Sequence, residues 1–104
     1  MARVAVSTLA DADVAQILTY LEQQGGSLVA YKYADLFDRL YDRLADQPSS
    51  GPPRPRLGSG IRIGIVSPFI VIYRYDATKD VVTVLRVVHG RRRITGTLLS
   101  ASKP

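Results

Sequence analysis

One histidine, no cysteine and a late cluster of arginines set the chemical repertoire of this 104-residue chain. Without cysteine there is no disulfide, no thiolate zinc site and no cysteine nucleophile. With His89 alone there is no His-rich metal site. A Ser-His-Asp triad would have to use His89 as its base, and no Gly-x-Ser-x-Gly elbow accompanies it. Gly58-Ser59-Gly60 is too short for a phosphate loop and lacks a following Lys-Thr. Asp35, Asp38, Asp42 and Asp46 recur at three and four residues, the spacing of a solvated helix face rather than of a glycosidase pair. What remains is Arg56, Arg62, Arg74, Arg86, His89, Arg91, Arg92 and Arg93. Arginines hold phosphates through two bonds and stabilise charge in phosphoryl transfer. His89 is the one group of the set that titrates near neutral pH. These residues suit a metal-free ribonuclease if a proton donor and acceptor lie close together. The plainer alternatives are a strand-end His89 bonded to a backbone or hydroxyl partner, and an arginine run that is simply solvated.

Charge is unevenly divided. The formal total is +5, yet residues 1–52 hold four basic and seven acidic residues, a net of −3. Residues 53–104 hold ten basic residues against Asp76 and Asp80, a net of +8. A basic half of this strength suits an anionic partner, either nucleic acid or an acidic protein segment. Composition is that of one folded domain, residues 1–104, with 46% hydrophobic and 22% charged residues. The apolar runs are too short to span a bilayer, and MARVAVSTLADAD has no signal-peptide pattern. A soluble cytoplasmic protein with no membrane contact is expected.

The elements that must carry these residues follow from periodicity. Arg3 to Val6 reads as a strand. Thr8-x-x-Asp11 has capping-box spacing, and Val14, Ile17, Leu18 and Leu21 then mark one face of a helix. Gly25-Gly26 ends it, and Ser27 is placed to cap a second helix. Val29, Tyr33, Leu36, Phe37, Leu40 and Leu44 form that helix's apolar stripe, and Pro48 stops it. The short link makes the two helices an antiparallel hairpin. Residues 48–60 are turn formers with one extended piece around Arg56-Leu57. Three strands follow, Ile61 to Val66, Phe69 to Tyr75 and Val81 to His89, joined by hairpin-length links into an antiparallel meander. Strict alternation puts Val82, Val84, Arg86 and Val88 on one face of the last strand, and Val81, Thr83, Leu85, Val87 and His89 on the other. Arg86 then points away from the helices, towards Arg62 and Arg74. The tail from Arg91 to Ser100 fits either a short helix or an edge strand. The pattern βααβββ is an α+β fold, a sheet on a helix pair. Tyr33 lies on the core stripe, whereas Tyr31 and Tyr41 lie off it and are candidates for a binding surface, as is Tyr20.

Several stretches resemble the ParE branch of the RelE/ParE toxins: Ala10 to Ile17 at the first helix start, Pro48 after the second helix, Arg56 to Arg62, Ser67 to Tyr75, and above all Val84-Leu85-Arg86-Val87-Val88-His89-Gly90-Arg91-Arg92-Arg93. The resemblance covers nearly the whole chain in order and implies a RelE/ParE-like fold and a toxin encoded beside a small antitoxin of the ParD kind. ParE toxins are known as inhibitors of DNA gyrase, and their RelE relatives cut messenger RNA on the ribosome with basic residues and a C-terminal tyrosine. Compared with the RelE pattern, Arg62 and Arg92 match basic positions, but Gly64 and Ile70 replace two others and Leu98 stands near the tyrosine's place.

The resemblance therefore implies a non-catalytic toxin that needs no cofactor or metal, partners a ParD-like antitoxin, targets gyrase and binds no specific DNA sequence itself. The target contacts are expected at Arg86, His89, Arg91, Arg92 and Arg93. The antitoxin contacts are expected at Tyr20, Tyr31, Tyr41, Arg62, Arg74 and Arg86, where an acidic amphipathic segment would fold on binding. The alternatives are a ribosome-dependent messenger RNA endonuclease using Arg62, Arg86, His89 and Arg92, and a basic nucleic-acid-binding module.

Overall fold

The computed structural model describes residues 1–92, 94, 98 and 99. The choice between helix and edge strand for the tail from Arg91 to Ser100 falls largely outside the described residues. The elements run β1 (Arg3–Val6), α1 (Thr8–Gly25), α2 (Ser27–Asp46), a 3₁₀ turn (Pro55–Leu57), β2 (Ile61–Val66), β3 (Phe69–Asp76) and β4 (Val81–His89). This is the expected βααβββ order. The strands form one sheet in the order β1-β4-β3-β2. Neighbours β2-β3 and β3-β4 are antiparallel, while β1 joins β4 in parallel, Val4 opposite Val82 and Val6 opposite Val84.

Both helix caps differ from the sequence expectation. Ser7, not Thr8, caps α1: its hydroxyl accepts the Ala10 N–H at 3.0 Å. The same hydroxyl donates to the Leu85 carbonyl at 2.9 Å, so the residue that starts the helix also ties it to β4. Ser27 is already inside α2; the cap is Gly26, whose φ of 88° turns the chain between the helices. The stretch around Arg56-Leu57, expected as extended, is a 3₁₀ turn because Pro55 pre-sets its first position.

Two apolar clusters lie on the two faces of the sheet. Phe37, Leu40 and Leu44 of α2 meet Val71, Tyr73, Val82, Val84 and Val87 in the first. Ile61, Ile63, Ile72, Leu85 and Val88 form the second, covered by Ile94, Leu98 and Leu99. Strict alternation along β4 therefore fails. Ile72 of β3 faces Arg86 while Tyr73 faces Val84, so Leu85 is an extra residue, a bulge. From there Val87, not Val88, continues the helix-facing row of Val82 and Val84.

Tyr41, expected off the core stripe, packs against the first cluster and is half-buried. Its hydroxyl has no hydrogen-bond partner among the described residues. Burial, with help from the carboxylates of Asp11 and Asp38, pushes its pKa from 10.0 up to about 12. The folded chain thus holds the phenol proton more tightly than the unfolded chain does. That contribution to stability is full below pH 10 and is lost as pH rises through the folded pKa near 12. Tyr41→Phe deletes both the orphan hydroxyl and this titration. It is expected to gain about 1 kcal/mol near neutral pH and to flatten the alkaline limb of a urea-midpoint profile.

Candidate partner-binding surface

The arginines nominated by sequence divide into those bonded within the fold and those at its surface. Arg62 donates through Nη1 to the carbonyls of Ser49 at 3.0 Å and Gly51 at 2.7 Å, fastening the 48–60 loop to β2. Tyr73 helps from β3, its buried hydroxyl accepting the Gly51 N–H at 3.0 Å. Arg74 lies in the same region, its Nε 3.3 Å from the Ser59 carbonyl. Both residues thus hold loop backbone, although Arg74 remains exposed.

Arg86 does not point towards Arg62 and Arg74. Its Nε donates to Asp13 Oδ2 at 2.7 Å and its Nη2 to Oδ1 at 3.0 Å, a two-bond pair with both side chains only 12–13% exposed. Asp13 Oδ2 also accepts the Val87 N–H at 2.9 Å. The reason lies in the sheet edge. β1 stops at Val6, level with Val84, so β4 runs on with no strand on that side. Ser7 and Asp13 of α1 then take the backbone groups of Leu85 and Val87 that a longer β1 would have bonded. The bonds from Asp13 raise the pKa of Arg86 above its ordinary value. Arg86 thus staples α1 to the edge of β4.

At the far end of β4, His89 stacks edge-on against Phe69, with ring centroids 5.9 Å apart. Its Nδ1 accepts the Arg91 N–H at 3.0 Å and its carbonyl accepts the Arg92 N–H at 2.9 Å, which turns the chain and leaves Arg91 and Arg92 exposed. Arg93 lies outside the described residues. Arg62 and His89 are not brought together. Arg62 is registered with Tyr73, and His89 with Phe69 opposite Val66, four residues along β2 or about 13 Å of strand.

The structure does bring His89, Arg92 and Tyr20 to one place. They line a groove of about 550 Å³ between α1 and the end of β4, together with Gln16, Tyr33 and Phe69. A concave site of this size is within the range of ligand and side-chain pockets. Tyr20 is 59% exposed, and Tyr31, on the outer side of α2, is 70% exposed. Sequence reasoning placed Tyr33 in the core. It is a boundary residue, edge-to-face with Phe69 at 5.8 Å. Its polar hydroxyl in an otherwise apolar stripe was the available signal. Gln16 carried no such signal. No helix among the described residues is long and apolar enough to cross a membrane.

Comparison with known proteins adds the following. The sequence profile of a family described as the ParE toxin of type II toxin–antitoxin systems, parDE, matches residues 4–94. Toxin ParE1 of Caulobacter vibrioides is 31% identical over 80 residues, 77% of this chain and 83% of that protein. Among solved structures, a chain of the chromosomal ParDE system from P. aeruginosa superposes with a TM-score of 0.71 at 21% identity, covering 86% of this chain and 96% of that one. A chain of the RelBE2 toxin–antitoxin complex from Mycobacterium tuberculosis gives 0.60, also at 21% identity, with 85% and 96% covered. At that identity the two structures speak for a shared fold.

Proposed function

The chain belongs to the ParE toxin family of type II toxin–antitoxin systems, and on that premise we propose that it inhibits DNA gyrase by binding, without catalysis of its own, and is neutralised by a ParD-like antitoxin. The observation that carries a binding action over a cutting one is the employment of its basic residues. Arg62 is bonded to loop carbonyls, Arg86 to Asp13, and His89 through Nδ1 to a backbone amide. A nuclease built from Arg62, Arg86, His89 and Arg92 would have to release two of these arginines and close the gap along the sheet. General acid–base catalysis needs donor and acceptor within hydrogen-bond reach of the reacting atoms. The target contacts are then the surface cations after β4, Arg91 and Arg92 with Arg93 beside them in sequence, and His89 at their base. Such a toxin acts in the cytoplasm.

A supercoiling assay tests this. Purified gyrase with the chain is expected to lose supercoiling activity and accumulate linear DNA, and premixing with the antitoxin encoded beside the chain restores it. A ribosome-bound messenger reaction runs in parallel. Unaffected gyrase together with discrete messenger cuts would overturn the proposal and make the chain an endonuclease.

A further inference from the structure

The reading above leaves the other end of the sheet, away from His89, without a task. There the Arg54 N–H donates to the Ile61 carbonyl at 2.8 Å, and Ile61 is registered with Arg74 of β3. Residues opposite each other share a face. Arg54, Ile61 and Arg74 therefore form one row on the side away from the helices, where Ile61 belongs to the second cluster. Two strand spacings put the Cα atoms of the two arginines about 10 Å apart. Arg56 follows in the 3₁₀ turn, two residues beyond Arg54. All three arginines are exposed, and none pairs with a carboxylate among the described residues.

Gly58-Ser59-Gly60 lies against this row. Arg74 Nε donates to the Ser59 carbonyl, and a Cβ on Gly58 would stand 3.8 Å from Arg74 Nη2. No described residue accepts the N–H of Ser59 or of Gly60, and both residues are exposed. The stretch is too short to wrap a nucleotide phosphate, yet it adds two backbone amides and a hydroxyl to the arginines' donors. The carboxylates at this end are held within the β3–β4 turn. Asp76 accepts the N–H groups of Thr78 and Lys79 at 3.0 and 3.2 Å, and Asp80 accepts the Tyr75 hydroxyl at 2.7 Å.

A surface made of donors suits a partner made of acceptors. A protein partner would want an apolar or aromatic anchor at the centre, and the exposed large hydrophobics, such as Tyr20, Tyr31 and Ile65, all lie elsewhere. A single nucleic-acid strand would want an aromatic platform for its bases. The aromatic residues of β3 do not supply one, since Tyr73 is buried and the Tyr75 hydroxyl is bonded to Asp80. A duplex offers phosphates alone, and the spacing of Arg54 and Arg74 spans roughly three nucleotides of one strand at about 3.4 Å each. We propose that Arg54, Arg56 and Arg74, with the Ser59 and Gly60 amides, hold the phosphodiester backbone of duplex DNA without regard to sequence. This goes beyond the gyrase reading, giving the chain its own hold on DNA, and it assigns Arg74 to the duplex rather than to the antitoxin.

The test is fluorescence anisotropy of a short labelled duplex titrated with the full chain over a range of salt concentrations. Wild type is expected to bind with an affinity that falls linearly with salt on logarithmic axes, equally for a shuffled sequence. The double variant Arg54→Glu with Arg56→Glu is expected to weaken binding about tenfold or more and to lower the salt slope by about two, one for each lost phosphate contact. Lys32→Glu with Arg43→Glu makes the same charge change on exposed residues of α2 and is expected to stay within about threefold of wild type. Amide spectra of the unmodified chain give a readout independent of any variant: the Ser59 and Gly60 signals shift when duplex is added. No duplex binding at low salt, an equal loss in the α2 variant, or a loss that follows Arg91→Glu with Arg92→Glu instead would each overturn the proposal. So would tighter binding of the single strand. Duplex binding beside unimpaired gyrase would sink the gyrase reading and keep this one, and inhibited gyrase without duplex binding would do the reverse.

Discussion

Asp13→Ala is expected to cost about 3 kcal/mol of folding stability, read as a lowered urea midpoint, because it strands a charge that the fold has already taken out of water. Arg86 would keep its guanidinium in a site where its side chain is 12% exposed, with both of its bonds to Asp13 gone. The Val87 N–H would lose its acceptor as well. Coulomb attraction between the two groups is strong because both are mostly buried, and the same burial makes one partner alone expensive. Removing both partners together tests that account: Asp13→Ala with Arg86→Met should recover much of the loss, since the methionine fills the stem's space without bringing a charge. A double variant no more stable than Asp13→Ala would show that the cost comes from α1 detaching from the β4 edge instead. Any loss of toxicity on mutating Arg86 then has to be compared with its effect on folding before it can be assigned to target contact.

Gly51→Ala is the second large effect, expected at about 3 kcal/mol or more from overpacking and lost hydrogen bonds together. A Cβ at residue 51 would stand 2.1 Å from the Ile63 carbonyl oxygen and 2.6 Å from the Tyr73 hydroxyl. Neither obstacle can swing aside, since one is sheet backbone and the other belongs to a side chain with no exposed surface. The loop would have to lift from β2, breaking the bonds from Tyr73 and Arg62 to residue 51. Tyr73→Phe removes one of these bonds without the clash and should cost about 1 to 2 kcal/mol in the same denaturation experiment. If Gly51→Ala proves as mild as that, the loop is not held the way the contacts imply.

These two sites show where the sequence was readable and where it was not. Apolar periodicity located both helices and all four strands, since burying one face of each element drives folding and leaves its period in the chain. Alternation grouped Val82 with Val84 but pointed that row away from the helices; the two valines face α2, and beyond them a bulge at Leu85 changes the phase without any glycine to announce it. Arg86 was expected beside Arg62 and Arg74 because its whole row was pointed to the face away from the helices. In the sequence Asp13 is one more polar residue near the start of α1, and nothing local reveals that β1 ends too early to satisfy β4. That Arg62 and Arg74 bond loop carbonyls was not legible, because such partners leave no mark in composition. Tyr41 sits between stripes on α2, and a side chain that long can lean into the core from a boundary position. The exposure of Tyr20, Tyr31, Arg91 and Arg92 was legible because no described side chain pairs with theirs.

The parallel pairing of β1 with β4 also sets the order in which this molecule can come into being. Ser7 and Leu85 are 78 residues apart when they meet, and loop closure over such a separation has to precede the contacts that reward it. A chain leaving the ribosome makes its helical hairpin early but has no strand for β1 until residues 81–84 exist. Until then the apolar stripe of α2 has only the β2–β3 hairpin to pack on. The fold therefore cannot close before β4 has been made, and β1 and β4 close it together.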